Sequence, residues 1–196
     1  MNPDDPIVLV ELLTDHPSFA DPDAARLAPA RPGDAGIDLV ACESVVLAPG
    51  ERAAVSAGIR IALPEGVEGQ VRPRSGRALR EGLTVVNAPG TIDPGYRGPV
   101  KVLLLNAAPA VEAAELEGDS ATLGERLRAG LADRTVRVEA GERIAQLVFA
   151  RFERPTIRLV AEVPRETERG EGGFGSTGTG ATDGCPASDE STEVPA

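Results

Sequence analysis

The stretch NAPGTIDPGYRG, residues 87–98, places a carboxylate between two turns. Two Pro-Gly dipeptides hold Asp93 in a short, constrained loop. A carboxylate held in this way can act as a general base on water when a substrate places an electrophile nearby. Tyr96 adds a flat ring to the loop, and Asn87 adds an amide that both donates and accepts hydrogen bonds. Asp before Pro-Gly is also a common turn former, and for this stretch taken alone that explanation is the stronger one.

RPRSG, residues 72–76, has the residue types of an anion site. Arg74 supplies a planar guanidinium, and Ser75 supplies a hydroxyl at the predicted start of a helix. We expect Ser75 to be the N-cap of a helix over residues 76–81, with Gly82 just after its end. Taken alone, this segment is better explained as a surface turn with solvated arginines.

The stretch RGEGGFGSTG, residues 169–178, is rich in glycine and matches the pattern G-x-G-x-x-G. A dinucleotide-binding fingerprint needs a strand before it and a helix after it, and this stretch has neither signal. A P-loop needs a lysine before its Ser/Thr, where this stretch has Gly175. Two interpretations therefore remain: a frayed tail, or a flexible strap that closes over a phosphate.

The composition narrows the class of protein. A formal net charge of -11 argues against general nucleic-acid binding, which requires a basic surface. The chain has a single lysine, Lys101, so we expect any phosphate site to use arginine. Its two cysteines, Cys42 and Cys185, do not suggest a disulfide framework. No apolar run is long enough to span a bilayer, and the first residues lack a basic signal region, so we expect a soluble, cytoplasmic protein.

Short apolar runs, separated by 22 glycines and 17 prolines, dominate the chain. Many short strands joined by turns predict an all-β sandwich, jelly roll or barrel. Since only 3% of the residues are aromatic, the core must consist of Val, Leu, Ile and Ala. The predicted strands cover residues 7–13, 36–41, 44–48, 58–63, 69–73, 83–87, 99–106, 135–140, 143–152 and 156–163.

A second short helix is predicted within ELEGDSATLGERLRAGLADR. Thr122 and Glu125 have the spacing of a capping box, and three leucines recur on one helical face. The helix falls between two predicted strands, so we expect residues 107–134 to form an inserted excursion. From about residue 179 onward, the small, polar and acidic composition predicts disorder.

Five segments occur in a characteristic order: DAGIDL (34–39), PRSG (73–76), NAPGTIDPGYRG (87–98), GERIAQLV (141–148) and RGEGGFGSTG (169–178). In residue type and order they resemble the five motifs of the trimeric dUTPases, and the resemblance runs from about residue 31 to 178. It implies an all-β distorted jelly roll, a β-clip fold, that assembles as a homotrimer with active sites at subunit boundaries. It also implies Mg²⁺-dependent hydrolysis of dUTP to dUMP and pyrophosphate, which keeps uracil out of DNA and supplies dUMP for thymidylate synthesis.

The resemblance assigns a role to individual residues of the folded domain. Asp93 is the implied base that activates water for attack on the α-phosphorus, and Gln146 helps to hold that water. Tyr96 lies against the deoxyribose and excludes a 2′-hydroxyl, and Asp38 lies near the Mg²⁺ through water. The other implied contacts are to phosphate from Arg74, Ser75 and Gly76, to uracil from Asn87 and the backbone of Thr91, Ile92 and Asp93, and to the ligand from Lys101.

The resemblance implies a β domain over residues 1–168 and a lid over 169–178, and the composition predicts a disordered tail over 179–196. The lid orders over nucleotide bound in a neighbouring subunit's site. Phe174 then stacks on the uracil, and Arg169 reaches the terminal phosphates. Gly175 and Ser176 add backbone and hydroxyl contacts.

Two alternatives belong to other functional classes. The first is a dCTP deaminase, which shares the fold and needs a catalytic Glu in the strand after the IDPG turn. That Glu falls at Leu103 in this chain, and a leucine cannot transfer a proton. The second is a catalytically silent regulatory protein of the same fold. The joint presence of the implied site residues argues against it: Asp93, Arg74, Ser75, Phe174 and Arg169.

Overall fold

Three antiparallel sheets and two helices make up the regular structure in the part of the chain that the computed structural model describes. The chain divides into two units, Met1–Arg154 and Pro155–Ala196, and every helix and strand described below lies in the first. The described residues are 6–13, 27, 29–111, 116–117, 120–164 and 166–167.

The strands and helices follow the chain in an order dominated by short strands. The first four-stranded sheet has the order β1-β4-β8-β6, the second has the order β2-β10-β5-β7, and β3 pairs with β9. The elements are β1 Leu9–Leu12, β2 Gly36–Val40, β3 Val45–Leu47, β4 Arg52–Ala62, β5 Val67–Pro73, α1 Ser75–Glu81, β6 Leu83–Val85, β7 Gly90–Ile92, β8 Pro99–Asn106, α2 Leu123–Asp133, β9 Val136–Val138 and β10 Arg143–Arg151. The predicted all-β class is confirmed.

The core is a single cluster of Val, Leu, Ile and Ala side chains that draws on all three sheets. Strand β8 shows how the sequence builds it, because successive residues of a strand point to opposite faces. Val100, Val102 and Leu104 are buried, whereas Lys101 and Leu103 between them are exposed. The aromatic-poor core expected from composition is therefore confirmed.

Asn106 is the fully buried polar residue at the end of β8. Its amide nitrogen donates to the carbonyl oxygens of Leu47 at 2.9 Å and Arg134 at 2.8 Å. Its amide oxygen accepts from the backbone N–H of Ala108 at 3.0 Å. One side chain thus joins the end of β8 to the residue that follows α2, at the two ends of the predicted excursion.

The strand predictions fail in three places. Strand β4 extends from Arg52, whereas only residues 58–63 were expected, because β8 pairs with its Ala- and Ser-rich first half. Strand β7 lies inside the Gly- and Pro-rich stretch and forms because it pairs with β5. Residues 156–163 form no strand in this chain, although they have the predicted alternation.

Both helices are confirmed. The predicted N-cap of α1, Ser75, is wrong, whereas Thr122 is the N-cap of α2, as predicted. Arg74, with φ -89° and ψ 121°, is the N-cap of α1, and Ser75 is its first helical residue. Thr122 precedes α2 without a side-chain cap hydrogen bond, so the predicted capping box does not form. Gly82 ends α1 at φ 68°, a left-handed conformation that favours glycine, as expected.

Candidate active site

The predicted base Asp93 follows directly after β7, whose pairing with β5 fixes where the loop begins. Ile92 is buried beneath it, and the Tyr96 N–H donates to the Asp93 carbonyl at 3.0 Å, which closes the turn. Arg97 Nη1 donates to the carbonyl oxygens of Pro94 at 2.6 Å and Tyr96 at 2.7 Å. The turn is therefore tied by backbone and guanidinium together, and it leaves the Asp93 side chain exposed.

The Tyr96 ring is fixed in position by two neighbours. Its hydroxyl donates to the Pro99 carbonyl at 3.0 Å. A Cβ added at Gly98 would lie 2.6 Å from the ring carbon Cζ, a distance that real Cβ contacts do not reach. Gly98 thus leaves the space that the ring occupies.

Asn87 and the turn share a pocket of about 220 Å³. The Asn87 amide nitrogen packs 3.1 Å from the position that a Cβ on Gly90 would take. Six of the predicted site residues line this pocket, which we call the nucleoside pocket. They are Asn87, Thr91, Ile92, Asp93, Tyr96 and Lys101.

Arg74 and Asp38 line a different and larger cavity of about 640 Å³, which we call the arginine cavity. Arg74 Nε lies 3.1 Å from Asp38 Oδ1, and Arg143 Nη1 donates to Asp38 Oδ2 at 3.3 Å. Only 18% of the Asp38 side chain is exposed. This carboxylate therefore holds two guanidinium groups side by side at one wall of the cavity.

Three arginines of this cavity were missed by the sequence analysis: Arg77, Arg80 and Arg143. Arg143 belongs to the GERIAQLV segment, so its motif could have found it. Arg77 is buried and binds Glu81 Oε2 at 2.7 Å and Glu142 Oε2 at 3.1 Å, which ties α1 to the start of β10. Glu142 lies 65 residues away in sequence, so no local pattern predicts this contact.

The remaining predicted residues lie near these pockets or outside the described chain. Ser75 and Gly76 follow Arg74 in the first turn of α1, and Ser75 is exposed. Gln146 pairs with Asp38 across β10 and β2, and its amide oxygen lies 3.2 Å from where a Cβ on Gly36 would be. The predicted lid residues Arg169, Phe174, Gly175 and Ser176, the tail and the boundary at residue 168 lie outside the described residues.

The nucleoside pocket and the arginine cavity have no lining residue in common. One holds the predicted base with the predicted uracil and sugar contacts, and the other holds the predicted phosphate contact Arg74. A single substrate that used both sets would have to bridge them.

Asp38 is the residue predicted to lie near a metal ion. Among the described residues, no cluster of three or more His, Cys, Asp or Glu side chains could hold a metal ion. Asp38 Oδ1 is buried and has no partner in hydrogen-bond geometry, although Arg74 is close.

Comparison with known proteins identifies the family. A profile of the dUTPase family matches residues 23–112 and 129–178. The deoxyuridine 5′-triphosphate nucleotidohydrolase of Thermobifida fusca (strain YX) is 51% identical over 158 residues, which cover 81% of this chain and 75% of that protein. The chain belongs to the dUTPase family.

Solved structures agree with the family and with the fold. The dUTPase of Staphylococcus bacteriophage 80alpha, solved with dUPNHPP, matches with a TM-score of 0.67 and 29% identity over 88% of this chain and 98% of that one. The dUTPase of phage phi11 of S. aureus, whose structure describes the coordination of a structural Mg(II) ion, matches with a TM-score of 0.60 and 26% identity over 80% of this chain and 98% of that one. No described helix of this chain has the length and apolar character that crossing a membrane requires.

Proposed function

We propose that this protein hydrolyses dUTP to dUMP and pyrophosphate, with Asp93 as the general base. The main structural support is that Asp93 lies in the same pocket as Asn87 and Tyr96, on a turn held by three hydrogen bonds. Membership of the dUTPase family and the activity named for the Thermobifida fusca relative support the same reaction.

The chemistry follows from an exposed carboxylate next to a bound triphosphate. An Asp93 oxygen accepts a proton from a water molecule, and the water oxygen forms a bond to the α-phosphorus. The bond from that phosphorus to its bridging oxygen breaks at the same time, and pyrophosphate leaves. Gln146 is proposed to orient the water by hydrogen bonding.

Selection of a uracil deoxynucleotide is assigned to the nucleoside pocket. The Asn87 amide can donate to one uracil edge group and accept from another. Tyr96 is proposed to lie against the deoxyribose, where a 2′-hydroxyl would meet the fixed ring. Thr91 and Ile92 present backbone groups from β7 beside them, and Lys101 on β8 is exposed in the same pocket.

Leu103 favours hydrolysis over the deaminase alternative. It lines the nucleoside pocket, at the position where a dCTP deaminase of this fold would need its catalytic Glu. An apolar side chain there can neither accept nor donate the proton that deamination moves.

Mg²⁺ is proposed as the cofactor, bound mainly by the triphosphate. A divalent cation would neutralise part of the phosphate charge that an acidic protein must accommodate. Asp38 is proposed to contact it through water, and a structural Mg(II) ion is named for the phage phi11 dUTPase.

A homotrimer with active sites shared between subunits is proposed for two reasons. The nucleoside pocket and the arginine cavity are separate within one chain. In addition, the alternating segment 156–163 pairs with no strand among the residues that the structure describes, and it exposes 93% of Ile157 and all of Leu159. A sheet edge on another copy would satisfy its backbone and cover these side chains.

Pyrophosphate release from dUTP with Mg²⁺ tests the reaction directly, with dCTP, dTTP and UTP as competing substrates and ammonia measured in parallel. Asp93→Asn should bind dUTP nearly as well as the wild type and lose most turnover, by a factor of about 10² to 10⁴. Wild-type turnover in that variant would place the base elsewhere. Release of ammonia from dCTP would contradict the proposed hydrolysis and show that the protein is a deaminase.

A further inference from the structure

Arg80 is the guanidinium of the arginine cavity that lacks a counter-ion. Four arginines and three carboxylates line that cavity. Asp38 contacts Arg74 and Arg143, and Arg77 binds both Glu81 and Glu142. Within the described part of the chain, Arg80 forms neither an ion pair nor a hydrogen bond. The unneutralised positive charge of the cavity is therefore on Arg80.

The direction of the Arg80 side chain places this charge beside the predicted phosphate contacts. Side chains on a helix point back toward its N-terminus and cover the residue four positions earlier. Arg80 follows this rule, since its Nη1 lies 3.1 Å and its Nη2 lies 3.5 Å from the position of a Cβ on Gly76. Because Gly76 has no side chain, the guanidinium can rest over the first turn of α1, next to Arg74 and Ser75.

We propose that Arg80 is a further substrate-binding residue, which takes oxygens of the β- and γ-phosphates. The inference rests on the proposed function and adds a residue to that site. An arginine already bound to carboxylates must give up contacts before it binds a phosphate, whereas Arg80 gives up none but its hydration. A guanidinium also offers two parallel donors to a phosphate. The outer phosphates are assigned because this cavity holds the proposed phosphate contact Arg74, whereas the proposed uracil and sugar contacts line the nucleoside pocket.

A neighbouring groove offers an alternative role for Arg80, and it also contains the residue for the control variant. Arg80 also lines a groove of about 540 Å³, together with Arg137 on β9. If Arg80 served that groove, or acted only through the general charge of this surface, Arg137→Gln would have the same effect as Arg80→Gln. Arg137 does not line the arginine cavity, so the two substitutions separate these cases.

The experiment measures kcat and KM for dUTP, and inhibition by dUMP and by pyrophosphate, in the full-length wild type and the variants Arg80→Gln, Arg80→Lys and Arg137→Gln. We expect Arg80→Gln to raise KM for dUTP about tenfold or more and to weaken pyrophosphate inhibition by a similar factor. Inhibition by dUMP, which has neither outer phosphate, should be unchanged. Arg80→Lys should recover part of the loss, and Arg137→Gln should match the wild type.

The outcomes test the proposed dUTP hydrolysis and the proposed role of Arg80 separately. A wild type that does not hydrolyse dUTP overturns the proposed function itself. An active wild type with an unchanged Arg80→Gln variant overturns the role of Arg80 alone. Equal effects of Arg80→Gln and Arg137→Gln, or an equal loss of dUMP binding, also overturn it. The thermal unfolding midpoint of Arg80→Gln should stay unchanged, because the exposed side chain has no partner within the described chain to lose.

Discussion

At the scale of single residues, the position of one aromatic ring depends on the absence of a neighbouring side chain. Tyr96 is held by its hydrogen bond to Pro99 and occupies the space that a side chain on Gly98 would need. In the proposed site, that ring separates deoxyribonucleotides from ribonucleotides. Selectivity should therefore depend on Gly98, which itself needs no contact with substrate.

Gly98→Ala should displace the Tyr96 ring and lower the ratio of kcat/KM for dUTP to that for UTP by about tenfold. The ratio is measured with both nucleotides under identical Mg²⁺ conditions. Gly95→Ala is the matched control, since a Cβ at Gly95 would meet nothing within 4 Å in the same loop. If both variants keep the wild-type ratio, Gly98 does not set the position of the ring.

The residue scale also shows where sequence reasoning succeeds. The DPGYRG turn could be predicted because its geometry depends on neighbours in sequence: the prolines, the glycines and the Asp93 carbonyl that the Tyr96 N–H reaches. Arg77 could not be predicted to be buried, because its partner Glu142 comes from a distant segment. Ser75 and Thr122 are predicted as caps from residue type and spacing. Ser75 lies one residue inside α1, and Thr122 occupies the N-cap of α2 without a side-chain cap bond.

At the scale of elements, the end of β8 depends on Asn106. Its amide satisfies the carbonyls of Leu47 and Arg134 and the N–H of Ala108 in a place without access to water. Buried polar groups that lose their partner keep the full cost of desolvation. The Asn106 side chain therefore joins β3, β8 and the residue after α2.

Asn106→Ala should lower the free energy of unfolding by about 2–4 kcal/mol, because it removes three hydrogen bonds and leaves their partners buried. Chemical denaturation at one fixed protein concentration measures this, since assembly would make stability depend on concentration. Arg52→Ala, an exposed change on the neighbouring strand β4, should stay within about 0.5 kcal/mol of the wild type. A loss no larger for Asn106→Ala than for Arg52→Ala would contradict this role.

Strand prediction succeeded for β8, where alternation is strong, but alternation alone was not sufficient, because residues 156–163 alternate and form no strand. It failed where pairing with a neighbouring strand, and not a local pattern, determines the strand. The pattern PVKVLLLN predicts β8 with its observed bounds, because its buried and exposed residues alternate. Strand β7 has only three residues and is defined by its hydrogen bonds to β5, so a local pattern could not reveal it. The first half of β4 has small side chains with little strand preference, and β8 provides its order.

At the scale of the whole molecule, the separation of the two pockets raises the question of whether one active site takes residues from two chains. If one active site combines Asp93 from one chain with Arg74 from another, two different inactive variants can repair each other. A site made within one chain cannot be repaired in this way. Combining two inactive variants therefore distinguishes active sites shared between chains from active sites formed within one chain, and it does so without a structure of the assembly.

Asp93→Asn and Arg74→Gln should each be nearly inactive alone, and co-refolding them in equal amounts should restore about a quarter of the wild-type activity, since random assembly gives a quarter of shared sites both native residues. Pyrophosphate release measures the recovery. Simple mixing of the folded proteins without refolding is the control and should restore little. No recovery after co-refolding would show that each chain supplies both residues to its own site.

The arrangement around Asn106 has a consequence for how this chain could change over evolution. The family profile leaves residues 113–128 unmatched, and the amide of Asn106 contacts Ala108 before this stretch and Arg134 after it. New sequence introduced between those two anchor points would start and finish at places already clamped together. The length of the inserted sequence should therefore have little effect on the β sheets. This segment is a suitable place to insert foreign peptides or whole domains.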